Sequence, residues 1–390
     1  MEKARQTDQG LSAPEEIAAA YLFLALDQLS REVTSYILMI DNGFSMMRLW
    51  EVRTMAELGI GLIGCGGWGK LLAKAVQQLD GARMVAVQNR TFSTAQEFGA
   101  SLGVPAFATY QELLADPNVE GVLVANPHSL HEEVVVAAAK AGKQIFCEKP
   151  LAIDVAACYR MVDAAKEQGV RLMCGQVTRL YPIFKRAAEL VRSGRLGRLA
   201  AINVANMVHK DRVSWWARSE TMGALLHSPG VHYIDFLLSV CGRANSVSAV
   251  ESKVRVQPGV DYQDSLFLLV EFESGAIGGI ECTVSCLTPG NRCHMIGTEG
   301  SLRFDPRESW IEFASWKGEQ ERIEVGPTGD RRARMAIGVN AELESFINWV
   351  TQDAEPLLTG WDGLRAVEII DAAYQSVAQR RAIDLPLPRP

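Results

Sequence analysis

The chain has 390 residues, 48% of them hydrophobic and 22% charged, with a formal net charge of −7. That length holds two ordinary domains with separate cores, and the composition is that of a globular protein. An acidic balance with scattered Lys and Arg excludes a nucleic-acid binder, which needs a basic stripe to displace counterions. No run is long and apolar enough to span a membrane: Ile17 to Leu26 stops at Asp27, and Glu15 and Glu16 stand where a signal peptide carries positive charge. Eight dispersed cysteines without a C-x-x-C fit a reducing compartment, so a cytoplasmic protein is expected. Cys282, Cys286, Cys293 and His294 come closest to a metal set. The alternation of Ile280–Cys286 instead places Cys282 and Cys286 on one strand face as buried small hydrophobes, and no metal site is expected.

Residues 1–54 read as an appended segment. Ser12-Ala13-Pro14-Glu15-Glu16 opens a helix running to about Leu29, followed by a strand over Tyr36–Ile40 and the turn Asp41-Asn42-Gly43. This stretch resembles the C-terminal tail of short-chain dehydrogenases with its glycine pattern eroded. It is a remnant or an over-long start, with Met55 beginning the working enzyme; an ordered oligomerisation arm is the alternative.

From Leu58 to about Val177 short apolar runs alternate with amphipathic helices. The runs are a short strand from about Gly59 into a glycine turn, then Met84–Val87, Val119–Ala125, Gln144–Cys147 and Arg171–Val177. Helices are expected up to Leu79, around Ala95–Leu102, and over Ser129–Ala141 and Asp154–Gln168. This alternation predicts an α/β Rossmann domain, a doubly wound parallel sheet, over residues 55–177. After the first strand comes G-x-G-x-x-G at Gly64, Gly66 and Gly69, with Gly67 and Trp68 inside it. One glycine makes a tight turn, one admits a pyrophosphate to the backbone and one allows close helix–strand packing, with the phosphates on the helix N-terminus. Asn89-Arg90 ends the second strand with no acid to bind a ribose 2′-hydroxyl. Arginine there can pair with a 2′-phosphate, so NADP(H) is expected in preference to NAD(H).

Beyond residue 178 the pattern becomes one of long strands: Leu199–Val208, Ser246–Val254, Ser265–Glu273, Ala276–Leu287 and His294–Phe304. A helix over Ala224–Val240 interrupts them, and Ile183–Val191, Ala341–Val350 and Asp362–Gln379 are helical. A second α/β domain with a large, mostly antiparallel sheet is expected over 178–390, for substrate binding and oligomerisation.

Two stretches lie at carboxyl ends of the parallel strands, where open α/β sheets bind ligands: Asn126-Pro127-His128 with His131, and Glu148-Lys149-Pro150. With Gly223-Ala224-Leu225-Leu226, His232-Tyr233-Ile234-Asp235, Gly297–Leu302 and Ala373–Ser376, they make residues 57–388 closely resemble the glucose–fructose oxidoreductase/inositol dehydrogenase/MocA (Gfo/Idh/MocA) family. The resemblance implies an NAD(P)-dependent oxidoreductase acting on a sugar, cyclic polyol or related hydroxy/keto compound. It makes Lys149 the lysine that holds the substrate oxygen, His232 the proton donor or acceptor, and implies a cis bond before Pro150. Asn126, Pro127, His131 and Glu148 join the glycine turn in cofactor binding. It also implies a homodimer or homotetramer built on the open sheet. A non-catalytic NAD(P)-sensing regulator on the same fold is the alternative.

The chain departs from the family at Ser228, where polyol-oxidising members carry an aspartate four residues before the histidine. Either His227 or Asp235 serves instead, or the substrate is not a simple inositol-like polyol. Trp215, Trp216 and Arg218, beside the loop His209-Lys210-Asp211-Arg212, are candidate substrate contacts with Ser228 and Asp235. Aromatic faces stack on sugars and basic groups hold carboxylate or phosphate. A solvated loop with a tucked-in tryptophan is the other reading.

Overall fold

The computed structural model describes residues 57–255, 257–326 and 331–389. The appended segment 1–54, with its expected helix and strand, lies outside them. The first half is built on β1 (Leu58–Ile63), α1 (Gly67–Val76), β2 (Ala82–Gln88), α2 (Phe92–Leu102), β3 (Ala106–Phe107) and α3 (Tyr110–Ala115). It continues through β4 (Gly121–Val124), α4 (His131–Lys140), β5 (Gln144–Glu148), α5 (Val155–Glu167) and β6 (Leu172–Gly175). The six strands are parallel in the order β3-β2-β1-β4-β5-β6. Every residue of β1, β4 and β6 is buried, as sheets with helices on both faces require. The order reverses between β1 and β4, which opens a crevice at the carboxyl ends of those strands.

The second half runs α6 (Pro182–Arg192), β7 (Leu199–His209), the single turn α7 (Ser219–Met222), α8 (Gly230–Cys241), β8 (Ala244–Ser252), β9 (Ser265–Phe272), β10 (Ile277–Thr283) and β11 (Ser285–Gly297). There follow β12 (Gly300–Phe304), β13 (Trp310–Ser315), β14 (Gln320–Glu324), α9 (Arg331–Gln352), α10 (Gly360–Gln379) and β15 (Ile383–Asp384). Nine strands form one sheet in the order β14-β13-β12-β11-β7-β10-β9-β8-β15. All its pairs are antiparallel except β7 with β10. One face packs on α8 and α10. The other carries Val250, Phe267, Leu269 and Ile277, all more than half exposed.

Four expectations are corrected here. The helix over Ala224–Val240 is broken: a 3₁₀ turn at Leu225–His227 ends at Ser228, and α8 starts after Pro229, whose missing N–H cannot continue the turn. The run Ala276–Leu287 is two strands meeting at Val284, and the run to Phe304 folds into a hairpin between Gly297 and Gly300. Because the strand turns at Val284, Cys286 leaves the face of Cys282. Its thiol is half-buried and donates to the Thr288 carbonyl at 3.1 Å, whereas Cys282 is in the core.

The last helices return to the first half. Val339, Leu343, Phe346 and Ile347 of α9 pack with Leu62, Leu72, Phe146 and Met173, so a segment assigned to the second domain completes the core behind the glycine turn. Among the described residues no helix is long and apolar enough to cross a membrane.

Candidate active site

The glycine turn has the shape a dinucleotide needs. Gly64 adopts φ +107°, and a Cβ there would lie 2.5 Å from the Ala125 carbonyl oxygen on β4. At Gly69 a Cβ would stand 1.9 Å from the Gly64 carbonyl oxygen, so glycine alone lets α1 approach the strand this closely. Gly66 and Gly67 are exposed and would meet nothing within 4 Å, leaving open backbone in front of the uncapped start of α1. Asn89 closes the adenosine side: its Oδ1 accepts from the Cys65 N–H at 3.2 Å, its Nδ2 donates to the Thr91 carbonyl, and Arg90 is exposed beside it. Across the crevice Asn126 keeps a buried Oδ1 without a partner. An open backbone cradle, a first helical turn of free N–H groups and an orphaned amide oxygen fit a bound dinucleotide.

His131 does not face that cradle. It is 0% exposed, with Nε2 3.0 Å from the Asn126 carbonyl and Nδ1 2.9 Å from that of Pro150. It ties the two ligand-facing loops together, and both of its ring nitrogens are taken up by backbone carbonyls instead of facing the expected cofactor.

The Lys149–Pro150 peptide is cis, as the resemblance implied. Glu148 is buried, accepts from the Trp68 indole N–H on α1, and takes the Lys149 N–H at 3.2 Å. Burial raises its carboxyl to about 7, against the pull of the Lys149 charge. The Lys149 ammonium crosses to the second half of the chain and donates to the Ser228 carbonyl at 3.3 Å. Burial brings Lys149 down to about 8; the charge of Glu148 opposes this shift and that of Lys210 adds to it. His232, in the first turn of α8, is within electrostatic reach of Lys149. Its imidazole is held well below the usual histidine range, first by burial and then by that charge, and its Nδ1 is buried without a partner.

Neither candidate for the missing aspartate is available to His232. His227 is fully engaged: Nδ1 accepts from the Ala224 N–H at 2.9 Å and Nε2 lies 3.0 Å from the Ile153 carbonyl. Its ring stacks on Tyr374, and burial takes it down to about 4. Asp235 is 1% exposed and bound by both arms of Arg179, which also reaches Asp362 at 3.1 Å. Asp235 is therefore a buried ion-pair partner and not the expected substrate contact. A carboxylate this deep needs its guanidinium more than a ligand.

On the substrate side Trp215 and Trp216 are half-buried, with ring centroids 4.6 Å apart, and both pack edgewise on His128 at 5.0 and 6.0 Å. They bridge the loop after β7 to the loop after β4. Thr221 Oγ1 holds the Trp215 carbonyl and Tyr262 the Trp216 carbonyl, each at 2.6 Å, and the Lys210 ammonium lies 3.8 Å from the Trp216 ring centre. Arg218 is exposed at the start of α7.

Two family models cover nearly all of this architecture. Residues 58–176 match an oxidoreductase family with an NAD-binding Rossmann fold, and residues 188–385 match the C-terminal alpha/beta domain of the same family. The chain belongs to the Gfo/Idh/MocA oxidoreductase family. It is 27% identical over 339 residues to a myo-inositol 2-dehydrogenase of Thermotoga maritima, covering 84% of this chain and 98% of that protein. It is also 30% identical over 335 residues to inositol 2-dehydrogenase 2 of Saccharopolyspora erythraea, with 82% and 93% covered. A levoglucosan dehydrogenase solved with NADH and levoglucosan superposes with a TM-score of 0.77 at 25% identity, over 85% of this chain and 99% of that one. As a member of this family the chain is an NAD(P)-dependent dehydrogenase.

Two buried polar residues near these groups were given no role from the sequence. His128 carries the tryptophan pair and donates from Nδ1 to the Met222 carbonyl at 2.8 Å; a histidine two residues into a ligand-facing loop was the available signal. Glu342 on α9 is 0% exposed, has no partner for either carboxylate oxygen, and is pushed far above the carboxylate range by burial and by the nearby Glu148. Nothing local in an amphipathic helix marks such a residue.

Proposed function

We propose that this dehydrogenase moves hydride reversibly between NADP(H) and a carbinol or keto carbon of a sugar, cyclic polyol or related compound, in the cleft between Lys149 and His232. The observation that carries this reading is the bond from Lys149 Nζ to the Ser228 carbonyl. It brings the strand-end lysine of the first half to the segment that presents His232. The nicotinamide, when bound, supplies or accepts the hydride. The protein must then move one proton at the substrate oxygen.

The electrostatics favour Lys149 for that task. Near neutral pH a lysine brought to about 8 is mostly ammonium but gives up its proton readily. His232 is neutral, because burial and the neighbouring ammonium disfavour an imidazolium and no carboxylate pairs with its Nδ1. In reduction Lys149 Nζ–H protonates the oxygen as the carbinol forms; in oxidation neutral Lys149 takes that proton. His232 orients the oxygen by a hydrogen bond. Lys149→Ala and His232→Ala should each lose most turnover while binding cofactor as before, and wild-type rates in either would remove that residue from the mechanism.

Support for NADP(H) is the exposed Arg90 beside an asparagine that already faces the cradle, with no acid at the strand tip to repel a 2′-phosphate. Fluorescence titration should give tighter binding of NADPH than NADH, with the difference reduced about tenfold in Arg90→Ala. Tighter NADH binding would refute the preference. The exposed apolar row on the open sheet face supports a homodimer or homotetramer.

A further inference from the structure

The packing of α9 fixes what the buried, unpartnered carboxyl of Glu342 faces. Two residues bracket it, one helical turn to either side. Phe346 packs edgewise on Phe146 of β5, with ring centroids 5.9 Å apart. At Gly338 a Cβ would stand 2.8 Å from side-chain carbons of Val177 and Tyr181, past the end of β6. Positions four apart share one helix face, and 338 to 346 covers about 12 Å of axis. On the sheet, Phe146 pairs with Met173 and Glu148 with Gly175. Phe146 to Glu148 is two residues and Gly175 to Val177 two more, together about 13 Å at full extension. The two spans match, so Glu342, midway along its face, lies over the level of Glu148 and Gly175.

Glu148 is turned to that side. Its Oε1 and the Phe146 ring both lie over Gly175, where a Cβ would come within 3.1 and 2.9 Å of them. The cations on the packed elements are engaged elsewhere. Arg179, on the 3₁₀ turn Val177–Leu180, is committed to Asp235 and Asp362, and Arg186 of α6 to Glu189. Lys70 and Lys74 of α1 and Lys185 of α6 are exposed, and Lys149 directs its ammonium to the Ser228 carbonyl. Cys174 points to the opposite face of the sheet, towards Gly363 of α10. An ionised Glu342 would thus meet only other carboxylates, and burial with Glu148 and Asp235 nearby keeps its proton on.

We propose that Glu342 is a positioning residue for the reaction: as a neutral carboxylic acid it donates its O–H to the Glu148 carboxylate, directly or through one bridging water, and so keeps a negative charge beside Lys149. This deepens the functional reading above and rests on Lys149 as its acid–base group. Without that O–H the buried Glu148 takes up a proton at working pH. Lys149 then loses its counter-charge and gives up its own proton more readily.

Glu342→Met, of similar length but without a donor, and Glu342→Gln, which keeps an N–H, separate this role from a structural one. Initial rates are measured in both directions from pH 6 to 10. In Glu342→Met the Lys149 limb should move about one pH unit lower, which quickens oxidation at pH 7 and slows reduction at pH 8, each roughly fivefold. In Glu342→Gln the limb should stay. A packing defect would lower both directions together. That outcome, a limb that stays in Glu342→Met, or one that moves equally in Glu342→Gln, overturns the proposal. Infrared spectra of the cofactor-loaded enzyme in heavy water read the same carboxyls without turnover. The stretch of a protonated carboxylic acid should persist at pH 8 and vanish in Glu342→Gln; in Glu342→Met a band abolished by Glu148→Gln should replace it. Absence of these bands refutes the proposal even where a variant is inactive. Their presence, with no limb near pH 8 in wild type, would support the Glu342–Glu148 pair and refute Lys149 as the acid–base group.

Discussion

The assignment of the proton to Lys149 has a measurable pH signature. A lysine at its ordinary 10.5 is neutral in about one molecule in 3,000 at pH 7; at about 8 the fraction is about one in ten. Burial in the cleft therefore raises the neutral amine roughly 300-fold, equivalent to about 3 kcal/mol against the ammonium. Reduction uses the ammonium, so its log kcat/KM should be level through neutrality and fall with unit slope above pH about 8. Oxidation uses the neutral amine, so its profile should rise with unit slope to a plateau above the same pH. Lys149→Arg keeps the charge but cannot release its proton, and should abolish both limbs along with about 10²–10⁴ of the rate. The assay is initial-rate nicotinamide absorbance in both directions from pH 6 to 10. A limb near 6 to 7 that survives in Lys149→Arg and vanishes in His232→Gln would refute this assignment and give the proton to the histidine.

Other outcomes follow from packing and burial. Gly69→Ala would force a Cβ against the Gly64 carbonyl oxygen, costing at least about 1–3 kcal/mol in urea unfolding and most of the affinity for either dinucleotide. Unchanged NADPH binding in that variant would mean the cradle is not where phosphates lie. Glu342 keeps its proton in the folded protein to higher pH than in the unfolded chain, where it titrates near 4.5. Its contribution to stability is complete below that value and is lost as pH rises, by up to about 1.4 kcal/mol per pH unit. Urea midpoints at pH 5.5 and 8 should therefore fall less in Glu342→Gln than in wild type; equal slopes would place an ionised, partnered carboxylate at 342. Leu269 is 61% exposed in the middle of the open sheet face, and Leu269→Lys should shift the protein towards monomer in light scattering. A wild type that is already monomeric would refute the interface.

The parts of this fold that were legible in the sequence are those set by local periodicity. Continuous apolar runs, each followed by a helix, specify a parallel sheet because each strand is buried on both faces, and the glycine turn specifies itself by the contacts a Cβ would make. The second sheet was read less well. The hairpin at Thr298-Glu299 depends on Gly197 and Gly297 letting the chain pass Leu196, contacts roughly 100 residues apart that no local pattern encodes. The edge strand β14 is polar with a single buried residue, and β13 beside it is only six residues long, so neither stands out in the sequence.

The site divides along the same line. Lys149 was singled out by its place at a strand end and by the family resemblance, and His232 by the resemblance alone. Whether Asp235 could serve the reaction was not legible, because His232 and Asp235 are three apart on one helix while the decision belongs to Arg179, 56 residues earlier in the sequence. Once that guanidinium claims Asp235, and His227 is spent on two backbone groups, the serine at 228 has a definite consequence. The imidazole of His232 is left with no carboxylate and an unpaired buried Nδ1, beside a cationic lysine. A histidine so placed resists protonation, and this is the ground on which we assign the acid–base role to Lys149.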